Sequence, residues 1–436
     1  MKTVAPTERK IFISPARPFS LPADTPTRRS RSWLWPFGWP ITFGPNFATA
    51  PRRMAASQHS LPSPLQSENA MSSSTILVTG AAGFIGNSVT DALVRSGAGM
   101  VRAGVKSLQP HSGLPRLPVQ TIHCDVMDRA CLMSAMERVD VVINCIRDDA
   151  KTATTVEGTG RILECAAASG VSRLIQLSSV AVYGGATGTI SEETRPVPPL
   201  SEYGAAKRAA EELCRSAAGE KLHVAVVRPS LVYGPHGEEW TARFIRAIAS
   251  GRLAQLGVNC DGEANLIYVR DLAMLAARLA IHETPHYCVY NANGVEIPTF
   301  AEYFDLLSRA IGRGPFIPLA VQPALSAIRR QARRAGLYAL TKQAGVARSI
   351  FPRSDTIAAV VRSVEKVAFE RLGDLSADDF TKRRRYVIDR VKEIGFVPTT
   401  SLQEGIAASA EWAFAQGLVS TRAAPAEGVP PILQLH

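Results

Sequence analysis

One feature limits the fold more than any other. The β-branched and apolar run Thr75-Ile76-Leu77-Val78-Thr79 passes directly into Gly80-Ala81-Ala82-Gly83-Phe84-Ile85-Gly86, and a helical pattern extends over Phe84–Ser96. A buried strand, a glycine turn and a helix in that order set helix N-terminal amides at the end of a sheet. A dinucleotide pyrophosphate needs a tight turn, a bare backbone it can approach, and amides aimed at it. Gly80, Gly83 and Gly86 meet the first two needs, while Phe84 and Ile85 open the helix. These five residues are the candidate pyrophosphate cradle.

The texture downstream agrees with that start. Strand-length apolar runs at Val101–Val105, Val119–Cys124, Val139–Cys145, Arg173–Ser178 and Val224–Arg228 alternate with helical patterns at Val156–Ser169 and from near Tyr203. Further strands are expected at Leu266–Val269 and Tyr287–Asn291, with helices from Asp271 and Thr299. Alternating strands and helices predict an α/β fold, a doubly wound parallel Rossmann sheet. The organisation expected is a basic Pro/Ser-rich disordered extension over 1–73, a nucleotide-binding domain over 74–235 and a tail over 421–436. Between them, 236–420 would form a smaller, mainly helical substrate-binding portion interleaved with the last Rossmann elements. Within the extension, Arg28-Arg29 faintly resembles an export signal, and Met54 or Met71 could serve as the start.

The formal charge of +11 suggests nucleic acid at first sight. Residues 1–70 carry nine Lys/Arg against three Asp/Glu, and Lys382-Arg383-Arg384-Arg385 adds four more positive charges, so the middle of the chain is near neutral. A nucleic-acid partner is therefore not expected. Seven scattered cysteines without a CxxC pair point to a reducing, cytoplasmic setting and to no metal. No apolar run is long enough to span a membrane. Arg329, Arg330, Arg333 and Arg334 are read as a solvated helix face, with peripheral membrane contact as the alternative.

Tyr203-Gly204-Ala205-Ala206-Lys207 puts a phenol and an amine one helical turn apart. A phenol titrates near 10, and a fixed ammonium beside it favours the phenolate, which suits proton exchange near neutrality. A second copy, Tyr338 with Lys342, has no comparable surroundings. Tyr203, by contrast, follows Arg173-Leu174-Ile175-Gln176-Leu177-Ser178-Ser179, whose polar end would lie at the carboxyl edge of the sheet. The end of the second strand carries Lys106 and, with less weight, Arg102, but no acid. That choice favours NADP over NAD, because a base there pairs with the 2′-phosphate.

The run Ile76–Gly86, with GxxGxxG spacing, closely resembles the start of the extended short-chain dehydrogenase/reductase family, also called the NAD-dependent epimerase/dehydratase family, and the similarity continues to about Trp412. The resemblance implies that Ser179, Tyr203 and Lys207 are catalytic. Ser179 is preferred to Ser178 because Ser179-Val180-Ala181-Val182-Tyr183-Gly184 matches the family segment. It implies that Asp125 and the adjoining Val126 contact the adenine side, that Tyr203 and Lys207 also touch the cofactor, and that the protein pairs as a homodimer through helices. The sequence departs from sugar-nucleotide members at Leu231, Ala264 and Thr155, where anion-binding groups are missing. Leu231, Asn265 and Leu319–Val346 are closer to the branch of 3β-hydroxysteroid dehydrogenases and dihydroflavonol reductases. The expected function is an NAD(P)-dependent oxidoreductase acting on a small-molecule secondary alcohol or ketone. The alternatives are a nucleotide-sugar epimerase holding NAD and a non-catalytic NAD(P)-binding regulator.

Overall fold

The computed structural model describes residues 74–107, 114–147, 152–251, 253, 260–317 and 380–419. The extension 1–73, the arginine-rich stretch, the Tyr338/Lys342 pair and the tail 421–436 lie outside the described residues.

The first half of the fold runs β1 (Thr75–Thr79), α1 (Phe84–Ser96), β2 (Met100–Val105), β3 (Gln120–His123), α2 (Arg129–Ala135), β4 (Val141–Asn144), α3 (Thr152–Ser169) and β5 (Arg173–Leu177). It continues with β6 (Gly188–Ile190), α4 (Glu202–Ala217), β7 (His223–Pro229), β8 (Leu231–Tyr233), α5 (Arg243–Ala249), β9 (Leu266–Tyr268) and α6 (Val269–Ile281). Then come β10 (Tyr287–Ala292), α7 (Phe300–Ala310), β11 (Arg384–Tyr386), α8 (Asp389–Glu393) and α9 (Leu402–Ala415). Seven strands form one parallel sheet in the order β10-β7-β5-β4-β1-β2-β3. Chain order reverses between β1 and β4, so their carboxyl ends flank the crevice where such sheets take ligands.

Burial on both faces explains the unbroken apolar run Ile76-Leu77-Val78 at the middle of β1. Ile76 and Val78 enter a core with Leu93 of α1 and Leu272 of α6. Leu77, pointing the other way, packs with Val142, Ile162 and Leu163, the last two from α3. A separate core lies under β8, β9, α5, α7 and α9 and is strongly aromatic. There Phe244 and Phe304 have ring centroids 4.9 Å apart, a spacing that adds to area burial.

The predicted α/β class and parallel sheet are therefore observed, with strand ends displaced by a residue or two. Three short strands were not expected. β6 pairs with β11 and β8 with β9, both parallel, in small two-stranded sheets. The basic cluster at 382–385 thus turns out to supply part of a strand, with Arg385 paired to Glu263 at 3.1 Å.

Candidate active site

The loop after β1 is built as a phosphate turn must be. Gly80 has φ +68°, and a Cβ on Gly86 would stand 2.2 Å from the Gly80 carbonyl oxygen. The turn closes through the Gly83 amide on the Gly80 oxygen at 3.0 Å. Gly83 then begins α1 with extended backbone and no side-chain cap, and it is exposed. Phe84 and Ile85 are half-buried and Gly86 is buried. The residues fit a dinucleotide: the inner wall has no room for a side chain, and the outer wall offers uncapped helix amides.

At the end of β2, Lys106 reaches Asp125 with Nζ–Oδ2 at 2.9 Å. Two residues chosen from separate parts of the sequence thus meet at one corner of the sheet. The hydrogen bond from Lys106 holds the Asp125 carboxyl below the usual carboxylate range, helped by the Met127 amide. Lys106 remains largely open to solvent. Val126 lies differently: its side chain is buried and faces Gly158 of α3, where a Cβ would stand 3.0 Å away. Arg102 is taken up elsewhere, donating to the carbonyls of Ala135 at 2.8 Å and Glu137 at 2.9 Å. It closes the end of α2, which leaves Lys106 as the base at this corner.

Tyr203 and Lys207 occupy the first turns of α4, whose N-cap Ser201 accepts from the Gly204 amide. Lys207 is buried. Its Nζ donates to the Leu177 carbonyl at 2.9 Å and the Ile146 carbonyl at 3.3 Å, and lies 6.0 Å from the centre of the Tyr203 ring. The amine is therefore anchored to the ends of β4 and β5 while standing beside the phenol. Gly204 permits this: a Cβ there would be 2.7 Å from the Ala181 carbonyl oxygen. That close approach presses α4 against the turn Val180–Tyr183, which Ser179 begins. The Ser179 hydroxyl accepts from the Ala181 amide at 3.1 Å and the residue is half-buried. Ser178 is buried and donates to Glu211 at 2.5 Å.

Glu211 belongs to a buried polar chain that sequence reading missed. It pairs with Arg228 at 2.6 Å, both side chains 6% exposed. Arg228 donates to the Tyr183 hydroxyl at 2.8 Å, and that hydroxyl donates to Asn291 at 2.7 Å. Burial pushes the Tyr183 phenol up to about 12. The signal for this chain was weak, since each member comes from a different element. Two more residues at the site were also missed. Arg147, three residues past β4, lies with its guanidinium carbon 5.1 Å from the Tyr203 ring centre and pairs with Glu239. A charged residue just beyond a central strand's carboxyl end was the clue available. The departures noted in the sequence are also visible: Ala264 and Thr155 are buried, and Leu231 packs against the aromatic core.

Among the described residues no helix is long and apolar enough to cross a membrane, and no group of His, Cys, Asp and Glu is arranged to hold a metal.

Comparison with known proteins agrees with this architecture. A 2′-dehydrokanamycin reductase from Streptomyces kanamyceticus is 31% identical over 259 residues, covering 56% of this chain and 69% of that protein. A UDP-glucose 4-epimerase from Mycolicibacterium smegmatis is 30% identical over 220 residues, covering 45% and 70%. Two other curated relatives are spanned to 59% and 66% of their length. Among solved structures, a UDP-glucuronic acid 4-epimerase from Bacillus cereus in complex with NAD shares the fold. Its TM-score is 0.56 at 20% identity, with 79% of this chain and 98% of that one covered. The sequence profile of the NAD dependent epimerase/dehydratase family matches residues 76–292, and with the relatives above it places this chain in that family.

Proposed function

We propose that the protein is an NAD(P)-dependent oxidoreductase acting on a secondary alcohol or ketone. The observation that carries this reading is a buried Lys207 fixed beside Tyr203 at the sheet edge that also bears the glycine turn. The bound nicotinamide would supply or accept the hydride. Everything else falls to side chains of this chain. Tyr203 exchanges the proton on the substrate oxygen, and the ammonium of Lys207 favours the phenolate that must form in each cycle. Ser179 binds the same oxygen as charge develops on it. The uncapped amides at Phe84 and Ile85 would hold the pyrophosphate, and the Asp125 corner the adenine side.

Preference for NADP over NAD is part of the proposal and rests on Lys106, the basic residue at the end of β2. A 2′-phosphate would share Lys106 with Asp125 or displace that carboxylate. Epimerisation of a nucleotide sugar is the second reading, favoured by the epimerase among the 30% identical relatives. Missing anion-binding groups at Leu231, Ala264 and Thr155 weigh against it. Net consumption of NADPH separates the two, because an epimerase regenerates its cofactor.

The test is titration with NADPH and NADH, followed by turnover of a ketone panel by wild type and Tyr203→Phe. Nucleotide binding kept and turnover lowered about 10²- to 10⁴-fold in the variant is the expected result. No affinity for either nucleotide, or full activity in the variant, defeats the proposal.

A further inference from the structure

The reaction just described leaves a second cation beside Tyr203 without a task. Arg147 sits on the loop that leaves β4, and its guanidinium lies over the Tyr203 ring. Glu239, which forms an ion pair with it, comes from the other half of the fold, in the π-helical turn Glu238–Ala242. That turn is closed by the Ala242 amide on the Gly237 carbonyl at 2.9 Å and braced by Thr241 on the Gly234 amide at 2.9 Å. Gly237 lies so near the phosphate loop that a Cβ there would be 2.9 Å from Phe84 Cζ. One ion pair therefore joins the sheet edge to the substrate side across the face of the reacting phenol.

Two properties suit this pair to recognition rather than fastening. Its side chains are 39% and 35% exposed, and exposed ion pairs contribute little to holding elements together. A guanidinium resting on an aromatic face is also positioned to take a planar acid through two parallel hydrogen bonds. Glu239 shows which acid fits, since its own carboxylate already occupies the place.

We propose that Arg147 binds a carboxylate of the substrate, carried a few bonds from the reacting carbonyl, and that Glu239 holds the position until substrate displaces it. The substrate class is then an oxo acid or the matching hydroxy acid. This rests on the reading of Tyr203 as the proton-exchanging phenol. Arg147 acts as a specificity residue, and no proton passes through it.

The test uses three oxo acids with the carboxylate at increasing distance, pyruvate, acetoacetate and levulinate, each against its ethyl ester, with NADPH as reductant. At least one acid should exceed its ester in kcat/KM by tenfold or more, chiefly through KM. Arg147→Gln should cut that preference at least tenfold, and Arg147→Lys should restore part of it. Glu239→Gln should lower KM for the acid, a direction that general damage to the site would not produce. In parallel, NADPH-loaded Tyr203→Phe should show acid-dependent quenching of cofactor fluorescence that is lost when Arg147→Gln is added. Esters matching acids, an unchanged preference in Arg147→Gln, or no response to any acid in either assay overturns the inference while the oxidoreductase reading stands. Failure to bind NADPH removes both.

Discussion

Tyr183 and Tyr203 lie twenty positions apart in the chain, yet their surroundings differ in kind. Tyr183 is sealed between Arg228 and Asn291 and stays protonated far above neutral pH because burial raises it. Tyr203 stands half-buried at the sheet edge beside two cations. Replacing Tyr183 by Phe should therefore cost stability, about 1–3 kcal/mol for the hydrogen-bonding groups left without their partner, read from a denaturant midpoint. The Lys106–Asp125 contact makes a second residue-scale case. The Asp125 carboxyl is held below its unfolded value by Lys106. Its stabilising effect is present above the unfolded value near 3.9 and fades as pH falls through the lower folded value. Lys106→Gln should thus begin acid unfolding at slightly higher pH, an effect kept to about 1 kcal/mol or less by exposure of the lysine. The same variant should weaken NADPH roughly tenfold relative to NADH, equivalent to about 1.4 kcal/mol, measured by fluorescence titration of both nucleotides. Equal losses for the two would assign Lys106 to structure alone.

At the scale of elements, β1, its glycine turn and α1 form one device, and a single methyl group breaks it. Gly86→Ala would drive a Cβ against the Gly80 carbonyl, forcing α1 away from the turn. The expected outcome is loss of nucleotide binding together with a lower melting temperature, checked by calorimetry with and without NADPH. This device was fully legible in the sequence because strand, turn and helix are consecutive, and each is dictated by local residue types. The pairing of Tyr203 with Lys207 was legible for the same reason, being set by one helical turn. Nonlocal pieces were not. β6 and β11 have three residues each and meet across nearly two hundred positions, so no periodicity announces them. Arg384 and Arg385 read as a charged run because their place in a strand is decided by Gly188 and Thr189. The Ser178–Glu211–Arg228–Tyr183 chain was hidden likewise. Charged residues in an apolar context signal burial only when their partners are known.

At the scale of the whole molecule, β7 and β10 tie the main sheet to the smaller elements beside it. β7 runs through the main sheet and, after Pro229 and Ser230, continues into β8 of the smaller one. Asn291, at the far end of β10, gathers the Tyr183 hydroxyl, the Val387 carbonyl at 3.2 Å and, through its amide, Glu192 at 2.7 Å. With β10 hydrogen-bonded to β7 throughout, loosening one half removes support from the other, and the main sheet and the aromatic core should unfold in a single transition. A ligand that binds only the folded form then stabilises all of it, by about 2.7 kcal/mol at a concentration one hundred times its Kd. NADPH at that excess should raise the melting temperature by a few degrees while keeping one calorimetric peak. Gly86→Ala should abolish the rise, whereas Phe304→Ala, cut from the distant aromatic core, should lower the starting temperature and keep the rise. Two separate peaks, with only one moved by nucleotide, would mean that the halves fold independently and that the coupling through β7 and Asn291 is too weak to join them.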